Sequence, residues 1–350
     1  MSAGPLTAVS LFAGIGGFDL ACQRAGITVT AAVEIDPACR AVLARHFPHT
    51  ALFDDVTEVT GDQLRATGFV PGRGIICAGW PCQGNSAAGR RRGLADPRSG
   101  LWRHVVRLVA ETRPRWFLGE NVPGLLAVNT GRDFAAVLSD LDDLGYGVAW
   151  RVLDAQWFGL AQQRRRVFLA GCAGDGAAWL PAQVLLEPDS SSGHPAAGRP
   201  AAPDVARTLG SRAGGGRTTD LDGHGAYVVS TLQGGGRRGY RVDAEGAAGG
   251  HLITHAITAR EGKGPDSDAT TGFVLTRAAV RRLTPRECER LQGFPDDWTR
   301  HTADGREQSD SARYRQLGNA VAVPVAAWLA RRLAAADAAS RALAEGRPAA

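Results

Sequence analysis

Through the first 170 residues of this 350-residue chain, short β-branched or aromatic runs alternate with amphipathic helical stretches, the signature of a parallel α/β sheet. Strands are expected at residues 8–12, 27–34, 74–78, 115–119, 147–153 and 166–170. Helices fall between them at 17–25, from Pro37 onward, at 101–111 and at 132–144. Polar helical signals return at 286–292, and 320–339 reads as an Ala-rich amphipathic helix.

The pattern breaks near Pro181. Pro- and Ser-rich sequence runs to about Pro203, and residues 181–281 hold eighteen of the 45 glycines, which excludes them from the sheet. Three units inside this stretch are alike. Ala206-Arg-Thr-Leu209 leads to Gly214-Gly-Gly-Arg217 and Tyr227-Val-Val229; Ser230-Thr-Leu232 leads to Gly234-Gly-Gly-Arg237 and His251-Leu-Ile253; Ala256-Ile-Thr-Ala259 leads to Gly262-Lys-Gly264 and Gly272-Phe-Val274. They read as an internal repeat of about 25 residues, built of short strands and Gly-rich charged loops, with a disordered insertion as the alternative. The expected organisation is an α/β domain at 1–180, a Gly-rich region at 181–281, and a segment at 282–350 that completes the first domain.

A hydrophobic fraction of 44% suffices for a substantial core, but no apolar run is long enough to span a bilayer and no signal sequence opens the chain. Six scattered cysteines lack the pairing of a zinc ribbon or a disulfide framework, so no metal is expected and a reducing cytoplasm fits. The formal charge of +5 is weak evidence for a nucleic-acid partner, because Lys263 is the only lysine and arginine richness follows from GC-rich codons.

Chemistry enters with Phe12-Ala-Gly14-Ile-Gly16-Gly17-Phe18, placed between the first strand and first helix, where glycines let a ligand approach the backbone. Glu34 closes the second strand, where a carboxylate can hold ribose hydroxyls. Asp19 stands where a third glycine of a dinucleotide fingerprint would fall, so the spacing favours S-adenosylmethionine over a nicotinamide dinucleotide. Asp55 is suited either to an adenine amine or to capping a turn. Directly after the 74–78 strand comes Gly79-Trp80-Pro81-Cys82-Gln83, and Glu120-Asn121-Val122 ends the next strand. A thiol and a carboxyl at one crevice form an apparatus for attacking an electron-poor ring.

These blocks resemble the DNA cytosine-5 methyltransferase family. The resemblance continues through Gln162-Gln-Arg164-Arg-Arg166, Arg282-Leu-Thr-Pro285-Arg-Glu287, Gln292-Gly-Phe294-Pro295 and Gln316-Leu-Gly318-Asn319-Ala-Val321, covering residues 8–330 in order. It implies a Rossmann-like S-adenosylmethionine-dependent domain carrying a small β-rich target-recognition insertion. It also implies that Cys82 attacks carbon 6 of a flipped cytosine, that Glu120 bonds ring nitrogen 3 and the exocyclic amine, and that Arg164 and Arg166 hold the base and nearby phosphates. For the cofactor it implies Phe12, Gly14, Gly16 and Gly17 as the loop, Phe18 stacked on adenine, Glu34 on the ribose, Asp55 on the adenine amine, and the Leu101 backbone with Asn319 completing the pocket. Asn319 lies so far from Phe12 in the chain that both ends must meet at one site.

The loop after Cys82, with Gln83, Ser86 and the charges of Arg90 and Arg91, is expected to close on double-stranded DNA. Arg217, Arg237, Arg238, Arg241, Arg260 and Lys263 of the repeat loops are the expected groove and backbone contacts, reading a single target sequence if the units form one sheet and more than one if each unit reads separately. Gly84-Asn85-Ser86 departs from the family's aromatic-Ser pair and Trp80 replaces its usual phenylalanine, changes expected to affect loop packing or rate. A tRNA methyltransferase with the same cysteine and glutamate is the nearest rival, disfavoured by the long insertion; a catalytically dead DNA-binding homologue is disfavoured by intact Cys82, Glu120 and Arg166. A cytoplasmic monomer, with any cognate restriction endonuclease acting separately, completes the expectation.

Overall fold

The structure, a computed structural model, describes residues 5–81, 99–186 and 283–345 together with short strands at 232–233, 241–242, 254–255, 273–275 and 280–282. Seven strands form the central sheet: β1 (Thr7–Leu11), β2 (Thr28–Val33), β3 (Ala51–Phe53), β4 (Gly74–Ala78), β5 (Trp116–Asn121), β6 (Tyr146–Asp154) and, after the two-residue β7 (Gln162–Gln163), β8 (Arg165–Ala173). Their order is β3-β2-β1-β4-β5-β8-β6. Strands β3 to β5 pair in parallel, as the alternating pattern requires, but β8 runs antiparallel to both β5 and β6. The sheet is therefore mixed, and the cause is local. No crossover helix lies between β6 and β8, so the chain must turn back on itself. The Asp154 carboxylate closes that turn by accepting from the Arg164 and Gln156 amides at 2.9 and 3.3 Å.

The order reverses at β1, whose neighbours are β2 on one side and β4 on the other; the crevice of such a switch point lies at the carboxyl ends of the two strands. On one face of the sheet pack α1 (Gly17–Arg24), α6 (Leu180–Leu185) and the long α9 (Val323–Ala344), through residues such as Cys22, Val184, Leu329 and Leu333. On the other face pack α3 (Gly61–Ala66), α4 (Trp102–Thr112) and α5 (Arg132–Asp143). A third cluster joins α2 (Pro37–His46) to α7 (Pro285–Gln292) and α8 (Asp310–Asn319) around Phe47, Phe294 and Trp298. Each fully buried Leu or Val contributes roughly 1.5–3 kcal/mol, so α9 is held by its apolar stripe rather than by propensity alone. Its buried Asp337 also accepts from Trp116 Nε1 at 2.9 Å and pairs with Arg115 at 2.9 Å, which fixes the helix against β5.

The core reaches past the expected boundary at 180, which falls inside α6; Val184 and Leu185 are fully buried against the same cluster as α9. Beyond it, β9 (Leu232–Gln233) and β10 (Arg241–Val242) pair antiparallel and flank residues 234–240, and β12 (Phe273–Leu275) pairs antiparallel with β13 (Val280–Arg282). β11 (Thr254–His255) pairs in parallel with β7, joining the Gly-rich region to the Gln162-Gln163 block. No helix among the described residues is long and apolar enough to cross a membrane.

Candidate active site

The glycine loop leaves β1 through Phe12, which takes a left-handed φ of 55°, and Gly14 follows at 57°. A Cβ added at Gly14 would meet nothing within 4 Å, so the backbone there faces open space. The Gly14 amide donates to Glu34 Oε2 at 2.7 Å, and Asp36 N donates to the other oxygen at 2.8 Å. Burial raises the Glu34 carboxyl above its ordinary value, and these two amide bonds pull it partly back. Each oxygen keeps a lone pair for a further donor. The next residue, Ile35, is a large apolar side chain left 70% exposed, an unfavourable arrangement unless a ligand covers it. Its position after Glu34 was the one sequence signal for this residue.

Asp55 takes its turn-capping role, accepting from Thr57 N at 2.8 Å, and it stays partly exposed. Phe12 packs in the cluster that holds Phe53 and Leu101, beside Asp55 and at the start of α4. Phe18 does not: it is buried on the opposite sheet face, among residues of α1 and α9. The expected stacking of Phe18 on adenine is thereby corrected, since the aromatic ring on the side of Glu34 and Asp55 is that of Phe12.

The C-terminal segment clamps this loop. Trp298 Nε1 donates to Ile15 O at 2.8 Å while its ring stacks on His46 at 3.6 Å. Gly17 lies so close to Val321 that a Cβ there would come within 2.5 Å of Val321 Cγ1 and 3.2 Å of Val321 O. Gly16, with φ of 85°, would clash with Phe47 in the same way. Asn319, at the end of α8, is exposed beside this contact, so the two ends of the chain do meet at one crevice. Gly17→Ala should cost about 1–3 kcal/mol by overpacking and loosen the clamp. The expected result is a lower melting temperature together with weaker cofactor binding by calorimetry; unchanged values of both would mean that the contact is not maintained.

Glu120 and Arg166 stand on adjacent antiparallel strands, and Arg166 Nε lies 3.0 Å from Glu120 Oε1 with both side chains largely buried. A Cβ at Gly79 would fall 3.6 Å from Glu120 Oε2 and 3.9 Å from the Phe18 ring, so the carboxylate, the end of β4 and the start of α1 converge. Asn121 Nδ2 donates to Trp80 O at 3.2 Å, and Trp80 packs on Trp102 at 4.7 Å, which anchors the backbone two residues before Cys82. Asn121 belongs to the Glu120-Asn121-Val122 block quoted above, whereas Trp298 carries no sequence signal that separates it from ordinary core.

Arg164 departs from expectation. It is buried, and its Nη2 donates to Gly318 O at 3.2 Å and Ala320 O at 2.7 Å. Burial, with the Arg166 charge beside it, pulls its guanidinium down to about 9, still cationic at neutral pH. These bonds tie the Gln162–Arg166 block to the Asn319 turn, while Arg166 pairs with Glu120. Cys82, Gln83, Ser86, Arg90, Arg91, Arg217, Arg237, Arg238, Arg260 and Lys263 lie outside the described residues. Arg241 begins the short strand β10.

The model of the C-5 cytosine-specific DNA methylases matches residues 6–194 and 222–335. The chain belongs to that family. The methylase is 32% identical over 335 residues to the Type II methyltransferase M2.BsuMI of Bacillus subtilis (strain 168), covering 93% of this chain and 74% of that one. It is 27% identical over 341 residues to the Type II methyltransferase M.HhaI of Haemophilus parahaemolyticus, covering 92% of each. Among solved structures, the Entamoeba histolytica methyltransferase EhMeth superposes with a TM-score of 0.62 at 15% identity, over 95% of this chain and 98% of that one. A DNA modification methyltransferase encoded within an Escherichia coli prophage gives 0.58 at 22% identity, over 94% and 98%. At these identities the structures show a shared methyltransferase fold. Family and fold together make the methylase an S-adenosylmethionine-dependent enzyme that methylates cytosine in DNA at carbon 5.

Proposed function

We propose that the methylase holds a flipped cytosine between Glu120 and Arg166 while Cys82 attacks it, and that the crevice at Gly14, Glu34, Ile35 and Asp55 holds the cofactor. The observation that carries this reading is the Glu120–Arg166 pair at 3.0 Å, beside Gly79 at the end of the strand that leads to Cys82. Duplex stacking hides the ring atoms, so the base must first be extruded at a cost of a few kcal/mol. The Cys82 thiolate then adds to carbon 6. Glu120 shares a proton with ring nitrogen 3 and accepts from the exocyclic amine, and the pair of electrons displaced by the thiolate makes carbon 5 nucleophilic. Arg166 holds the Glu120 carboxylate in place and presents its remaining donors to the base. S-adenosylmethionine, when bound, supplies an electrophilic methyl group on a sulfonium. After transfer, loss of the carbon-5 proton to a base expels the thiolate and restores the aromatic ring.

The residues fit that cofactor. Glu34 retains acceptor capacity for ribose hydroxyls, Ile35 and Phe12 offer apolar surface for a purine, and Asp55 keeps a carboxylate oxygen for an exocyclic amine. The substrate is a specific double-stranded sequence read by residues 181–281, whose arginines and Lys263 suit phosphates and guanine edges. Relatives named as Type II methyltransferases support reading the methylase as the modification half of a restriction-modification pair; a cytoplasmic monomer beside a separate endonuclease is the state this reading proposes.

Duplex DNA carrying 5-fluorocytosine tests the covalent step, because fluorine cannot leave as a proton and the adduct persists. With cofactor present, the wild-type chain should form a denaturant-resistant DNA complex and Cys82→Ser should form none. A complex of equal yield in Cys82→Ser would assign the nucleophile elsewhere.

A further inference from the structure

Asp19 occupies the first turn of α1, three residues after the Gly16 N-cap, yet it behaves unlike an acidic residue at a helix start. Such a carboxylate ordinarily turns back to the N-cap amide or outward to solvent. Here it is completely buried, and neither carboxylate oxygen has a hydrogen-bond partner. The Ser10 hydroxyl of β1, also buried and unpartnered, faces it. Cys22 of its own helix and Cys77 of β4, whose sulfurs are 3.9 Å apart, lie on the same side, and Glu34 at the end of β2 adds a like charge. The C-terminal segment and α9 contribute apolar residues, Val321, Ala322, Val325 and Ala326, to this packing. Among the described residues, the groups that act on Asp19 therefore include no cation to balance its charge.

A buried carboxylate with no cation beside it costs several kcal/mol, and the group responds by keeping its proton. Burial and the Glu34 charge accordingly raise Asp19 to about 7. What the protein lacks, the cofactor brings: the methionine end of S-adenosylmethionine carries an ammonium and a sulfonium against a single carboxylate, a net positive charge. Ser10 and Asp19 bracket the glycine loop at 12–17, so whatever charge settles on that loop acts on both across a low-dielectric interior.

We propose that Asp19 senses the charge of the cofactor, holding its proton in the free enzyme and releasing it to solvent when the cationic methionine end seats on the glycine loop. Asp19 is then a positioning residue, because its new negative charge steadies the cation without touching the reacting methyl group. The inference rests on the reading of residues 12–17 as the cofactor loop.

Titration calorimetry of the full chain with S-adenosylmethionine, run in buffers of different ionisation enthalpy, counts the protons released. Expected is about one proton per cofactor at pH 6 and about a quarter at pH 7.5, with affinity rising by about an order of magnitude between them. Ser10→Ala, which removes the hydroxyl dipole that faces the carboxylate and favours its ionised form, should move the midpoint to higher pH, and Glu34→Gln should move it lower. Asp19→Asn should bind with no proton release and no such pH dependence. S-adenosylhomocysteine, which keeps the ammonium and lacks the sulfonium, separates the two charges: undiminished release assigns the effect to the ammonium, and loss of it to the sulfonium. Saturable binding with no proton release at pH 6, or an Asp19→Asn variant that keeps the wild-type release, would overturn the proposal while leaving the cofactor loop intact. Absence of saturable binding at either pH would overturn both.

Discussion

Glu120→Gln should lower the single-turnover rate of methyl transfer by about a hundred- to ten-thousand-fold, the range over which a positioned acid or base acts. The amide is close to isosteric and can still accept from Arg166, whose Nε lies 3.0 Å from the carboxylate, so the pocket keeps its shape. What is lost is the proton shared with ring nitrogen 3. Affinity for S-adenosylmethionine should stay within about twofold, because the cofactor crevice is built from Gly14, Glu34 and their neighbours on the other side of β4. A variant with the wild-type rate would remove Glu120 from the chemistry, and one with intact rate but lost DNA binding would make it a recognition residue.

The second large effect lies away from the reacting atoms. Glu289 is completely buried in α7 and accepts from Asp297 N at 2.7 Å, Thr299 N at 2.8 Å, Thr299 Oγ1 at 2.5 Å and Arg313 Nη2 at 3.1 Å. Glu289→Ala leaves these donors unsatisfied and Arg313 without its nearest anion. Asp310 at 3.6 Å and Asp297 at 3.9 Å compensate in part, so the loss should be about 3 kcal/mol, the lower end for breaking a buried pair. Urea denaturation should show a lower midpoint with an unchanged slope. The same network holds Trp298, which donates to Ile15 O in the glycine loop, so cofactor affinity should fall alongside stability. A midpoint within error of wild type would show that the network contributes no net stability.

Much of this molecule is legible in the sequence, for reasons that also mark the limits. Parallel strands buried on both faces read as apolar runs, and the loops after them carry the Gly, Cys, Glu and Asn that no core would select. Hence β1, β2, β4 and β5 and the order of the site blocks were expected, while the three-residue β3 was not among the expected strands. The reversal of β8 was not, because direction depends on whether a crossover helix separates two strands, and the 155–164 connection reads ambiguously. Phe12 and Phe18 are interchangeable by type; only the left-handed turn at Phe12 decides which ring meets the cofactor side. Arg164 and Arg166 differ by two positions, and tertiary contacts alone send one to the Gly318 and Ala320 carbonyls and the other to Glu120. Asp19, legible only as a departure from a dinucleotide fingerprint, becomes informative once its burial and lack of partners are known.

Methylation of cytosine at carbon 5 in fixed DNA contexts, with Cys82 as the proposed nucleophile, should be visible in the DNA of a cell that expresses this chain. Expression in a host free of cytosine methylation, followed by bisulfite sequencing of the host DNA, tests it directly. Cytosines in one sequence context should resist conversion with the wild-type chain and convert fully with Cys82→Ala. Complete conversion with soluble wild-type protein would rule out methylation of DNA by this chain, and protection that survives Cys82→Ala would rule out Cys82 as its nucleophile.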